Sequence, residues 1–119
     1  MLTVLVVEDE FGVADVVVTA LEDEGYRVLV AANGRQGMER LADTKPDLII
    51  ADFMMPIMDG AAMGKAVRSN PAFADVPIIM TSAVSESAVT ERFAEFQAFL
   101  RKPFRIYELL ETVERLIGK

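Results

Sequence analysis

Short apolar runs alternate with amphipathic stretches along the whole chain. Residues 4–7 form a continuous run rich in Val and closed by acids, the pattern of a short strand covered on both faces. Val13, Val16, Val17, Ala20 and Leu21 then recur at i, i+3, i+4, i+7 and i+8, which is one face of a helix. Gly25 can take the left-handed conformation that closes such a helix. The rhythm continues with a strand over Arg27–Ala31, a turn signal at Asn33-Gly34 and a helix over residues 36–42. Lys45-Pro46 ends that helix, because the residue before proline is pushed out of the helical region.

A third strand is expected over residues 48–51. The loop Pro56-Ile57-Met58-Asp59-Gly60 leads to a helix over residues 61–68, which Asn70-Pro71 breaks. A fourth strand follows over residues 76–80, with Pro77 tolerable near its start. Val89, Phe93 and Phe96 sit at i, i+4 and i+7, predicting a fourth helix. Ala98–Arg101 is a short last strand. Ile106, Leu109, Leu110, Val113, Leu116 and Ile117 make the clearest helical stripe in the chain. Strands alternating with helices imply βαβ crossovers and a parallel sheet covered on both faces, an α/β doubly wound (βα)5 domain.

With 119 residues the chain is expected to be one domain, 1–119, with no output domain attached. Hydrophobic residues make up 52% of it, which supports a well-covered sheet. The net charge of −7 argues against nucleic-acid binding, since a phosphate backbone demands a basic face. The absence of Cys excludes disulfides, zinc-thiolate sites and thiol catalysis; the absence of His excludes Ser-His catalysis and an internal phosphohistidine relay. The apolar runs fall far short of the ~20 residues of a membrane helix, and Met1 leads into a strand without a signal-peptide pattern. The expectation is a cytoplasmic, soluble domain without membrane contact.

Polar residues collect where the strands should end. Glu8-Asp9-Glu10 follows the first strand, Asp52 the third, Thr81-Ser82 the fourth and Lys102-Pro103 the fifth. In an open parallel sheet the crevice beyond the carboxyl ends of the strands is where ligands bind. The three carboxylates of Glu8, Asp9 and Asp52, a hydroxyl and an ammonium in one crevice suit a hard divalent cation and a phosphoryl group. Crowded acids are costly unless a cation offsets them, and an all-oxygen ligand set without a calcium-loop pattern favours magnesium. Asp52 is then the candidate nucleophile, with Lys102 neutralising phosphoryl oxygens and Ser82 donating a hydrogen bond to one. Each residue also has a plainer reading. The acidic trio can be a polar loop with one helix cap, Asp52 a turn cap, Ser82 a turn residue and Lys102 an ordinary surface lysine.

Taken together and in order, the strings Val6-Val7-Glu8-Asp9-Glu10, Asp52 with Met54, Met55 and Pro56, Met58-Asp59-Gly60, Thr81-Ser82-Ala83 and Lys102-Pro103-Phe104 resemble the receiver domain of two-component response regulators over essentially the whole chain. The resemblance implies a flavodoxin-like sheet of order 2-1-3-4-5. It implies that a histidine kinase or histidine phosphotransfer protein passes phosphate to Asp52. It also implies that Asp9, Asp52 and the backbone carbonyl of Met54 bind Mg2+ directly, with Glu8 acting through water, and that Lys102 and Ser82 hold the phosphoryl oxygens. Such a domain catalyses only its own phosphorylation and dephosphorylation. It switches a downstream protein or output domain through the face around Ser82 and Phe99, as a monomer or a phosphorylation-dependent dimer.

Three further features carry expectations. Phe99 has no hydroxyl to strand, so an inward rotamer is expected even without phosphate. Met54 and Val84, two residues beyond Asp52 and Ser82, are apolar and cannot orient a hydrolytic water, so self-dephosphorylation is expected to be slow. Residues 91–100 lack the usual glycine turn and the stretch from Ser82 to Lys102 is short, so the fourth helix and its exit are expected to be irregular. Competing classes are a pseudo-receiver that docks without phosphorylation, a magnesium-dependent phosphohydrolase with an aspartyl nucleophile, and a nucleotide or flavin binder. The phosphohydrolase would want a second Asp where Met54 stands, and the nucleotide binder a glycine-rich loop where Glu8-Asp9-Glu10 stands.

Overall fold

The computed structural model describes residues 1–118; Lys119, the last residue of the expected 1–119 domain, lies outside them. The elements run β1 (Thr3–Val7), α1 (Phe11–Asp23), β2 (Arg27–Ala31), α2 (Gly34–Asp43), β3 (Leu48–Asp52), α3 (Gly60–Ser69), β4 (Ile78–Ser82), α4 (Glu86–Arg92), β5 (Ala98–Arg101) and α5 (Ile106–Ile117). The five strands form one sheet in the order β2-β1-β3-β4-β5, with every pair parallel.

Side chains alternate across a strand, so each central strand feeds two cores. Leu5, Val7, Ile49, Ala51, Ile78 and Met80 pack with Leu41, Met63, Val67 and Val89 of α2, α3 and α4. Val4, Val6, Leu48, Ile50 and Ile79 pack with Val17, Leu21, Leu109 and Val113 of α1 and α5. All five residues of β1, β3 and β4 are buried, whereas the edge strands β2 and β5 are partly covered. That difference explains why the central strands read as unbroken apolar runs and the edges do not.

The fourth strand and fourth helix differ from expectation. β4 begins at Ile78, two residues later than the apolar run. Pro77 has no N–H for the ladder, and the Val76 N–H is taken by the Phe73 carbonyl in the preceding turn at 3.0 Å. The strand instead continues through Thr81 and Ser82. α4 stops at Arg92, so the helix expected to reach Phe96 has only seven residues. Phe93 is already extended at φ −158°, yet it stays in the core, and its ring lies 6.3 Å from that of Phe96.

The physical reason is Arg68 in the last turn of α3. Its guanidinium donates to the carbonyls of Ala74 (3.1 Å), Val76 (2.7 Å) and Glu95 (3.0 Å) and to the Gln97 side-chain oxygen (2.8 Å). That oxygen also accepts the Ile78 N–H at 2.8 Å. The segment from α4 to β5, which lacks a glycine turn, is thus held extended by satisfied backbone groups rather than by helix. The irregular exit expected from the sequence is present, and this is its anchor.

Gly60 brings α3 against the end of β3: its N–H donates to the Phe53 carbonyl at 2.9 Å, and an added Cβ would collide with the Asp52 carbonyl oxygen and approach the Phe53 Cα to 2.9 Å. Both obstacles are backbone and cannot swing away. Gly60→Ala is therefore expected to lower stability by about 1–3 kcal/mol. Gly12→Ala, where a Cβ meets nothing within 4 Å, is expected to be neutral or stabilising by up to about 1 kcal/mol. Urea denaturation of the two variants beside the parent checks both signs.

Candidate functional site

The register places the site. Val7 is aligned with Ala51, so Glu8 and Asp52 are the next aligned pair at the carboxyl edge. By alternation Glu8 continues the Val4–Val6 side, Asp52 the Leu48–Ile50 side and Lys102 the Ala98–Leu100 side, so all three turn toward the α1/α5 face of the sheet. Glu8 and Asp52 are buried, at 7% and 5% exposure, while Asp9 is exposed.

Lys102 is the hub. Its Nζ donates to Glu8 Oε1 at 2.7 Å and lies 3.2 Å from Asp52 Oδ2 and 3.8 Å from Glu10 Oε1. The peptide bond from Lys102 to Pro103 is cis, and the Lys102 N–H donates to the Ser82 carbonyl at 2.8 Å. Glu8 Oε2 accepts the Glu10 N–H at 3.1 Å, which folds the acidic loop over the strand end. Neither Glu10 nor any other acid of the trio caps α1 through its side chain, so the helix-cap reading does not apply.

The remaining expected residues sit around this hub. Ser82 is fully buried, and its Oγ accepts the Val84 N–H at 3.0 Å, leaving the hydroxyl proton available for donation. Met54 is exposed and lines a cleft together with Asp9, Phe53, Asp59 and Arg92. Phe99 projects to the opposite face, half-buried against the α2/α3/α4 core with its ring 6.1 Å from that of Phe96. The structure thus brings Glu8, Asp9, Asp52 and Lys102 together, sets Ser82 beside them through the backbone, and keeps Phe99 on the other side of the sheet.

The sequence reading missed Arg92. Its Nη2 donates to Asp59 Oδ2 at 3.1 Å, and its guanidinium stands 5.6 Å above the centre of the Phe53 ring. Asp59 Oδ1 meanwhile accepts the Ala62 N–H at 2.8 Å and caps α3. The cap was the one legible signal here, because an Asp just ahead of a helical run favours that role. The ion pair spans 33 positions and leaves no local trace in the sequence. Half-exposed as it is, it contributes about 0–1 kcal/mol, with roughly 0.5–1 kcal/mol more from the ring. Arg92 is a weak tie.

Electrostatics at the hub are unbalanced. Burial, and then the neighbouring Glu8 charge, push the Asp52 carboxyl up to about 7, although Lys102 pulls the other way. Burial alone would lower the Lys102 ammonium, but its hydrogen bonds and charge contacts with Glu8 and Asp52 outweigh this and hold it above the usual lysine range. One oxygen from each of Glu8, Asp9 and Asp52 lies within 4.8 Å of the others. Glu8 and Asp52 already share one ammonium, so with Asp9 beside them the cluster is short of positive charge, and an oxygen-only set fits a hard divalent cation such as Mg2+.

The raised Asp52 value fixes the sign of a pH effect. A carboxyl whose folded pKa exceeds its unfolded one stabilises the fold at low pH and loses that contribution as pH rises toward and past about 7. In metal-free buffer, Asp52→Asn is expected to melt higher than the parent at pH 8. The gap should shrink steadily as pH falls to 5. Each kcal/mol gained should appear as about 4 °C in Tm, followed by thermal melts with a chelator present.

Comparisons with known proteins agree with this geometry. The sequence profile of the response regulator receiver domain family matches residues 4–114. The phosphate regulon transcriptional regulatory protein PhoB of Pseudomonas aeruginosa is 32% identical over 119 residues, covering 98% of this chain and 52% of its own length. The chain spans about half the length of the curated regulators of this kind. Among solved structures, the Vibrio cholerae chemotaxis protein CheY4 superposes with a TM-score of 0.91 at 32% identity, covering 98% of both chains. The receiver domain of the sensor histidine kinase PA1611 from Pseudomonas aeruginosa, with a magnesium ion coordinated in its active-site cleft, gives 0.90 at 30% identity and covers 99% of this chain and 98% of its own. With the sheet order, the strand-end acids and the matched profile all in agreement, the chain belongs to the response regulator receiver domain family of two-component signalling.

Proposed function

We propose that this domain accepts a phosphoryl group on Asp52 from the phosphohistidine of a histidine kinase or histidine phosphotransfer protein. The observation that carries the reading is the hub itself: Asp52 is buried beside Glu8 and Asp9, with Lys102 Nζ 3.2 Å from its Oδ2. In the transfer, an Asp52 carboxylate oxygen forms a bond to phosphorus while the donor P–N bond breaks and its electron pair returns to the imidazole nitrogen. The other ring nitrogen keeps its proton, so the imidazole leaves neutral.

Glu8, Asp9, Asp52 and the Met54 carbonyl would hold Mg2+. The ion supplies charge neutralisation for the phosphoryl oxygens. Lys102, already charged and anchored by Glu8 at 2.7 Å, offers a second cation to the same oxygens without reorganising. The buried Ser82 hydroxyl accepts the Val84 N–H and still has its proton to donate to a phosphoryl oxygen. The new group brings about −1.5 to −2 charges. Through Ser82 and Phe99 it would shift the α4–β5 side of the domain and so control a partner or output domain. The reaction is confined to the domain's own phosphorylation and dephosphorylation. No helix among the described residues is long and apolar enough to cross a membrane, and we place its action in the cytoplasm.

Intact-mass measurement after incubation with Mg2+ and a small phosphodonor tests the assignment. One phosphoryl group is expected on the parent, none without Mg2+ and none on Asp52→Asn. Absence of any adduct under conditions that preserve acyl phosphates would instead favour a docking domain that is never phosphorylated.

Met54 is exposed and Val84 half-buried, and neither side chain can accept a proton from an attacking water. Once formed and freed of donor, the phosphoryl adduct is therefore expected to outlast the seconds scale. Its decay can be followed by mass in Mg2+ buffer, and loss within seconds would contradict the role given to these two positions.

A further inference from the structure

Arg92 lines the cleft of about 380 Å³ that also holds Asp9, Phe53 and Met54, the two residues directly after the acceptor among them. Its guanidinium stands 5.6 Å over the Phe53 ring and spends only Nη2, on Asp59 at 3.1 Å, so most of its N–H donors are uncommitted. The Asp59 charge is offset from the other side by the α3 amino end, whose Ala62 N–H it binds. Lys102 is differently placed, with three carboxylates within 4 Å of its one ammonium. Arg40 lines another cleft, between α1 and α2, that also reaches Glu8 and Asp9, but there its Nε is tied to the Val30 carbonyl at 3.0 Å.

An anionic phosphodonor approaching Asp52 faces the exposed acids Asp9 and Glu10, with Glu8 buried behind them. We propose that Arg92 is an anion-binding residue of the cleft beside the acceptor, which shares Asp9 with the site and captures the phosphoryl oxygens of dianionic small-molecule phosphodonors of the acyl phosphate class on their way to Asp52. This deepens the acceptor reading above and rests on it. In the step that follows, an Asp52 oxygen bonds to phosphorus, the donor O–P bond breaks, and its electron pair leaves on the released carboxylate. Asp59 competes for the same guanidinium, which gives two neighbouring residues opposite effects on one rate.

The test is the second-order rate of phosphorylation of the full chain by acetyl phosphate with Mg2+, read by intact mass. Arg92→Gln is expected to slow it about 5–10-fold at low salt, Arg92→Lys to recover part of the loss, and Asp59→Asn to speed it, because Asn still caps α3 while releasing the arginine. Arg115→Gln on α5 removes the same net charge away from the site and should slow it less. The Arg92→Gln deficit should shrink toward unity at 1 M salt, where the Debye length is about 3 Å. It should also be smaller with phosphoramidate, whose net charge is lower by one and whose P–N bond mimics the phosphohistidine source. Thermal melts identify any variant that fails to fold.

An unchanged rate for Arg92→Gln, or a salt-independent loss shared by Asp59→Asn, would overturn the assignment and leave Arg92 a structural tie. A parent that gains no phosphoryl group would overturn the acceptor reading and this inference with it.

Discussion

The constraint on which the structure depends is the burial of Glu8 and Asp52 side by side at the carboxyl edge of adjacent strands, with Lys102 as their shared cation. Removing like charges from water is costly, and the ammonium repays only part of that cost. The residual strain shows in the Asp52 carboxyl, held near 7 where an ordinary Asp sits near 4. A site short of positive charge favours a divalent cation, and that deficit is what the proposed phosphoryl transfer to Asp52 draws on. Its chemistry follows from a charge deficit that the fold imposes.

The fold can impose it because the surrounding loops are tied down. The loop after β3 is closed on itself by the Gly60 N–H to the Phe53 carbonyl at 2.9 Å, and held to α2 by the Gly34 N–H on the Met58 carbonyl at 2.9 Å. Between these ties the Met58 N–H reaches the Pro56 carbonyl at 2.7 Å, and Ile57 is driven to φ +70°. A β-branched residue there costs roughly 1–2 kcal/mol, and at 73% exposure its side chain recovers little by burial. Strain of this kind persists only where neighbouring contacts over-determine the backbone.

Two arginines on the same side of the sheet contrast in magnitude. Arg68 satisfies three backbone carbonyls and a side-chain amide, and it replaces the missing turn before β5. Arg92 makes one ion pair and one ring contact, both half-exposed. Several hydrogen bonds from a charged donor, each worth about 1.5–3 kcal/mol, make a permanent anchor. A single surface pair worth about 0–1 kcal/mol makes a contact that a competing anion can exchange. The α4–β5 segment is therefore fixed at Glu95 and Gln97 and loosely held at Arg92, where α4 ends.

By itself the sequence determined the alternation of elements, because strand and helix periodicities are local, and the central strands are long enough in apolar residues to betray full burial. It also located Glu8, Asp9, Asp52, Ser82 and Lys102, since strand ends in a parallel sheet share one edge. Tertiary structure decided the rest. The helix stripe through Phe96 was real as a packing pattern, but Phe93 and Phe96 reach the core from an extended segment, because Arg68, 27 positions away, binds the Glu95 carbonyl. The start of β4 shifted because Val76 found a partner in a turn. Ile57 carries no residue-type signal for positive φ, and the Arg92–Asp59 pair leaves none for proximity. What a single stretch of chain prefers can be read along that stretch. A hydrogen bond between distant segments cannot, because its free energy belongs to both partners and neither one's neighbours record it.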